Sequence, residues 1–132
     1  MKLILILMVL FTFLLSKEEN SYSLESAVSK SIELQKPILY LIVSSKCPHC
    51  IKYINTVISP NIKDIKKGFI LAISIIDNGD SVPNDIQFSG TVPSTYIISS
   101  SGKVLIGAIE GEISAQLLFN ILNNVRKKEK RP

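Results

Sequence analysis

The chain is short of the residues that hold a metal or a haem. Its 132 residues contain two cysteines and one histidine. A structural zinc site takes four such ligands, so Cys47, Cys50 and His49 fall short unless a second copy completes the set. Covalent haem attachment needs a histidine directly after C-x-x-C, and Ile51 stands there instead. A membrane-spanning run is missing too. Leu3 to Leu15 is thirteen residues, apolar except Thr12, whereas a spanning helix takes ~20. Nor does one charge sign dominate the body of the chain. The stretch 126–131 holds five of the fifteen bases and one of the eleven acids, which leaves ten of each in residues 1–125. A basic face for nucleic acid would need an excess of bases spread through the fold, and that balance argues against such a partner. No repeat or low-complexity block interrupts the sequence.

What is present begins with an address. Lys2, the apolar run and the polar exit Ser16-Lys17-Glu18-Glu19-Asn20 read as a secretory signal over residues 1–20, an uncleaved N-terminal anchor being the alternative. No Ala-x-Ala is present; Ser21-x-Ser23 offers small residues at the spacing of a cleavage site, and Leu14-x-Ser16 is a poorer candidate. Either way the remainder is expected in a periplasmic or otherwise extracytoplasmic compartment, where disulfide chemistry operates. One domain is expected over 21–126, followed by a basic tail, 127–132. The tail reads as a solvated helix end whose cations suit the negative C-terminal dipole. The sharper alternative is attachment to anionic lipid or an acidic partner.

Within the domain, periodicity predicts a helix over 21–36, with Leu24, Ala27, Val28, Ile32 and Leu34 on one face and Ser21 or Ser23 as cap. Pro37 ends it. The apolar run 38–44 suits a strand buried on both faces. A second helix starts near Cys47, with Ile51, Ile54, Val57 and Ile58 inward, and Pro60 kinks or stops it. A short helical piece over 61–67 and a strand over 69–76 follow. A polar loop with Pro83 and Gly90 leads to strands 94–99 and 103–109, joined by a tight turn at Ser100-Ser101-Gly102. The last helix, from Glu112 or Ser114, turns Ala115, Leu118, Phe119, Leu122 and Val125 inward. The early alternation predicts parallel pairing and the hairpin adds antiparallel edge strands. The result is an α/β fold, a mixed sheet with helices on both sides.

The chemistry lies at Cys47-Pro48-His49-Cys50, between the first strand and the second helix. Pro48 is tolerated in a first helical turn. Unpaired N–H groups at a helix start favour a thiolate at Cys47, and Cys50 is one turn away to resolve a mixed disulfide. An inert disulfide closing so short a loop would remove little chain entropy. Lys46 and the imidazole of His49 add positive influence on the Cys47 sulfur, which favours the reduced form and makes the disulfide a stronger oxidant.

Two motifs carry a resemblance to the thioredoxin-like thiol:disulfide oxidoreductases. These are Ser44-Ser45-Lys46-Cys47-Pro48-His49-Cys50 after a buried strand, and Thr91-Val92-Pro93-Ser94-Thr95 before the hairpin; Gly102, Lys103, Val104 and Gly111 also suit the pattern. The likeness covers roughly 22–126. It implies a thioredoxin-like three-layer fold, a cis bond at Pro93 and Val92 lying against Cys47, with Val92 and Pro93 binding substrate. It also implies protein thiol or disulfide substrates, a membrane redox partner, a monomer, and no cofactor or metal beyond the redox-active Cys47–Cys50 pair. Cys-Pro-His-Cys with Val-Pro is similar to the DsbA-type oxidases, hence a lean towards oxidation. A reductase or maturation factor, or a copper- or peptide-binding module without turnover, are the competing readings. Three features depart from the pattern. Only 43 positions separate Cys50 from Pro93, too few for the helical insertion of DsbA-type enzymes. Lys46 stands where thioredoxins carry an aromatic residue, and Leu41 where an acid commonly lies beneath the second cysteine.

Overall fold

The computed structural model describes residues 20–131 and, before them, Ile4 alone. The secretory-signal reading of residues 1–20 therefore lies almost wholly outside the described residues. Among those residues no helix is long and apolar enough to cross a membrane.

Residues 20–131 hold four α-helices and four strands: α1 (Leu24–Leu34), β1 (Ile38–Val43), α2 (Pro48–Tyr53), α3 (Ile62–Gly68), β2 (Ile70–Ile75), β3 (Ser94–Ile98), β4 (Val104–Glu110) and α4 (Ala115–Glu129). They form one sheet in the order β2-β1-β3-β4. β1 pairs parallel to β2, with Ile38 opposite Ile70, and antiparallel to β3, with Ile38 opposite Ile98. β4 closes the hairpin antiparallel to β3. Only β4 of that hairpin is an edge strand; β3 is interior, which corrects the expectation of two edge strands. All five residues of β3 are buried, whereas β4 is largely exposed.

Every residue of β1 is buried, because both sheet faces are covered. Leu39, Leu41 and Val43 join Cys50, Tyr53, Ile65, Leu118 and Leu122 in a core beneath α2, α3 and α4. Ile38, Tyr40 and Ile42 join Ala27, Ala72, Ile86 and Tyr96 on the other face. There α1 shares the cover with an irregular loop, 79–93, so the second layer is part helix and part loop. Fully burying such a side chain contributes about 1.5–3 kcal/mol, which makes β1 the centre of the molecule.

Two helical faces differ from their sequence patterns. In α1, capped by Ser23, the buried residues are Ala27 and Ser31, while Val28, Ile32 and Leu34 are exposed. Ser31 is tolerated inside because its hydroxyl donates to the Lys36 carbonyl. After α2 the chain passes through a π turn (Ile54–Ile58) and a 3-10 turn (Ser59–Asn61) into α3. Pro60 has no N–H to donate, and the Asn61 side chain donates to the Val57 carbonyl at 2.7 Å. Cys50 and Tyr53 in α2 and Val57 and Ile58 after it face inward, and Ile51 stays outside, 48 % exposed.

Candidate active site

The site forms at the end of the sheet where β1 runs out. Ser44 to Lys46 make the turn into α2, and the turn is braced from β2's side. The Asp77 carboxylate accepts from the Ser45 N–H at 2.9 Å and from the Ser45 hydroxyl. The Ser45 hydroxyl, and then its N–H, hold the pKa of this carboxyl well below the usual carboxylate range, at about 2. Cys47 N–H donates to the Ser44 carbonyl at 3.3 Å, which closes the turn.

Cys47 is the N-cap of α2, in extended backbone, with Pro48 in the first turn. Its sulfur accepts the Cys50 N–H at 3.2 Å. The bond satisfies one of the N–H groups left unpaired at the start of α2. Cys50 differs sharply. It is 1 % exposed within the core, and burial, followed by its hydrogen bond with Cys47, pushes its thiol up to about 11. Both cysteines are thiols in this structure. The dithiol is thus asymmetric, one sulfur accessible and capped, the other buried and held protonated.

The second motif arrives from far along the chain. The Val92 carbonyl lies 3.8 Å from the Cys47 sulfur, and the Val92–Pro93 bond is cis. The Pro93 carbonyl accepts the Gly111 N–H at 2.7 Å, tying this loop to the start of α4. Val92, Pro93, Cys47, Pro48, His49, Cys50 and Lys46 therefore share one end of the molecule.

Glu112 is the partner that sequence reasoning missed. His49 Nδ1 donates to its carboxylate at 2.7 Å, and Lys52 Nζ stands 4.0 Å from the other oxygen. The His49 side chain is 76 % exposed, so the pair is a surface one. No spacing rule links positions 49 and 112; the fold alone brings them together. Asp77 was missed for the same reason. Ile51 was assigned to the core, yet it lies beside Cys50 on the surface.

Leu41, where an acid was noted to be missing, is fully buried in the same core as Cys50. Across the sheet it faces Thr95, whose hydroxyl is 3.2 Å from the Tyr53 hydroxyl. Among the described residues no carboxylate is buried. Among the described residues no group of three or more His, Cys, Asp or Glu side chains could hold a metal ion.

No protein-family model and no curated protein sequence matches the chain. Solved structures do. A thioredoxin from Thermus thermophilus superposes with a TM-score of 0.62 at 16 % identity, over 83 % of this chain and 88 % of that one. A disulphide isomerase from Xylella fastidiosa Temecula1 gives 0.58 at 17 %, over 85 % and 97 %. A DsbH oxidoreductase gives 0.58 at 18 %, over 80 % and 83 %. The fold is thioredoxin-like, a mixed four-stranded sheet between helical layers.

Proposed function

We propose that this chain is an extracytoplasmic thiol:disulfide oxidoreductase that exchanges disulfides with protein substrates through Cys47 and Cys50, working in the oxidising direction. The observation that carries the reading is the capped, accessible Cys47 sulfur facing the Val92 carbonyl across 45 positions of sequence. A thioredoxin-like fold and neighbours described as a disulphide isomerase and an oxidoreductase support it. They also support an extracytoplasmic location, as do the apolar run near the N-terminus and the polar stretch after it.

In the oxidising direction a substrate thiolate attacks the Cys47 sulfur and the Cys47–Cys50 bond breaks. Cys50 leaves and takes up a proton. A second substrate thiolate then attacks the substrate sulfur of the mixed disulfide. The substrate disulfide forms, and Cys47 departs as a thiolate held by the Cys50 N–H. Two electrons have passed from substrate to protein, and a membrane redox partner would remove them. Val92 and Pro93 line the approach to Cys47, and Lys46, Pro48 and His49 favour its thiolate. The buried Cys50 thiol is slow to attack the mixed disulfide, which gives the second substrate thiol time to act.

A glutathione redox titration tests the direction. Thioredoxin lies near about −270 mV and DsbA near about −120 mV, a gap worth on the order of 7 kcal/mol. A potential in the upper half of that interval, with Cys47→Ser abolishing oxidation of reduced substrate, is expected. A value at the thioredoxin end would assign the chain to reduction instead. Tight one-to-one Cu(I) binding without thiol–disulfide turnover would replace the enzyme by a binding module.

A further inference from the structure

We propose that the end of the molecule opposite the dithiol is a docking surface for an anionic lipid bilayer, which holds the domain with Cys47 facing away from the membrane. The basic tail alone did not carry this; the fold adds to it. β1 runs towards the dithiol, so its first residue, Ile38, marks the far end, together with Ile70 and Ile98. Lys36 lies just before Ile38, and its ammonium reaches the Lys66 carbonyl at 3.3 Å. Helix α3 ends at Gly68, directly before β2, and brings Lys63, Lys66 and Lys67 there. Arg126 passes so close to Gly68 that a Cβ there would come within 2.9 Å of it. Lys127, Lys128, Lys130 and Arg131 continue from the same helix end. The β3–β4 turn places Lys103 at this end as well, since Val104 pairs with Ile98.

This pole holds ten bases against three acids (Glu33, Asp64 and Glu129), a net +7. The rest of residues 20–131 holds three bases against six acids, a net −3. The remaining acids include Asp77, Asp80, Glu110 and Glu112, which follow β2 or end β4 near the dithiol. The molecule is an electric dipole whose positive end points away from its chemistry.

A second, independent observation selects lipid as the occupant. Tyr22 bridges in parallel to β2, its N–H donating to Leu71 and its carbonyl accepting from Ile73. The chain before Tyr22 therefore approaches from the Ile70 end, which is the basic pole. The thirteen-residue apolar run Leu3 to Leu15 precedes that approach in sequence. Ile32 and Leu34, on the last turn of α1 beside Lys36, are 55 % and 48 % exposed. Bases that draw anionic headgroups and apolar side chains that enter the interface are what a bilayer surface takes.

The test uses the full chain with vesicles of phosphatidylcholine alone or mixed with phosphatidylglycerol, the bound fraction being read by sedimentation. The ratio of the two partition coefficients isolates the electrostatic part, because an apolar segment enters both kinds of vesicle. Each base at an anionic surface is worth about fivefold in that ratio. The ratio is expected to fall towards unity between about 0.01 M and about 1 M salt, as the Debye length shrinks from about 30 Å to about 3 Å. Lys63→Gln, Lys127→Gln and Lys128→Gln together should cut it at least tenfold. Lys46→Gln with Lys52→Gln, a loss of charge on the dithiol side, should leave it within about twofold. Alkylation of Cys47 should proceed equally fast with and without anionic vesicles. Equal partition onto both vesicle types, an equal loss per base in the pole variant and the dithiol-side variant, or protection of Cys47 by vesicles would each overturn the proposal.

Discussion

Two sulfurs three positions apart have opposite environments, and their difference sets the expected kinetics. Burial raises the Cys50 thiol to about 11, with the contact to Cys47 as the next contribution. In a mixed disulfide Cys47 carries no proton or charge, so the second contribution goes while burial stays. Cys50 attacks only as thiolate, whose fraction grows tenfold per pH unit below its pKa. Self-release of a Cys47-linked peptide should therefore accelerate about tenfold per pH unit from pH 7 and level off only above the ordinary thiol range. Quenched-flow release from a trapped peptide adduct reads this directly, and a profile already flat by about pH 8 would contradict the buried thiol. His49 acts on the other sulfur. Replacing it by alanine removes a cation-capable group beside Cys47, so the reduced form becomes less stable. The glutathione equilibrium of His49→Ala should move towards the disulfide by roughly tenfold, about 30 mV more negative. An unchanged equilibrium would make His49 a bystander held by Glu112. The dithiol itself was legible in the sequence because its residues are contiguous. Glu112 and Asp77 were not, since their partners are 63 and 32 positions away.

At the scale of elements, strands were easier to read than helix faces. β1 appears as an unbroken apolar run, and only burial on both faces tolerates one. Helix α1 misled because periodicity weighs large side chains, whereas the space between α1 and the sheet admits Ala27 and Ser31. Closeness to Tyr40 and Ala72 favours small residues there, and the larger Val28 and Ile32 are left outside. Ile51 is outside because the inward face of α2 runs through Cys50, Tyr53 and Val57, one position ahead of the isoleucine row that periodicity favours. The hairpin carries another close approach. A Cβ on Gly107 in β4 would stand 2.3 Å from the Tyr96 ring. Tyr96 is 1 % exposed and packed against Tyr40 with ring centroids 5.9 Å apart, so it has no room to retreat. Gly107→Ala should cost about 1–3 kcal/mol of stability. Urea unfolding would show this as a lower midpoint at unchanged slope, and a midpoint equal to the parent's would mean that the edge strand moves freely instead.

The molecule as a whole is asymmetric across its sheet. One face is closed by α2, α3 and α4, the other by α1 and the loop 79–93. That loop supplies Val82, Ile86 and Phe88 to the second core. Both ends are tied down: Asp80 accepts from the Ile75 N–H at 2.8 Å, the Ser89 hydroxyl donates to the Glu110 carboxylate, and the Pro93 carbonyl accepts from the Gly111 N–H. Between Asp80 and Ser89 the Tyr96 hydroxyl donates to the Gln87 carbonyl at 2.7 Å. Irregular backbone with few cross-links opens at lower free energy than a central strand. The loop should therefore open sub-globally while β1 stays closed, and Tyr96→Phe isolates the effect. Losing that hydroxyl should lower stability by only about 1 kcal/mol, because the Gln87 carbonyl is near enough to the surface to find water. Protection of amides 84–91 against hydrogen exchange should fall by about that same amount relative to the loop's own, smaller, opening free energy. Proteolytic nicking within 79–92 should then rise on the order of fivefold, while β1 amides follow only global unfolding. The loop ends at Val92 and Pro93, which face Cys47, so the same opening reaches the substrate side of the site. If loop and β1 amides exchange with equal free energies in both proteins, the two halves unfold as one and the loop is as rigid a cover as the helices.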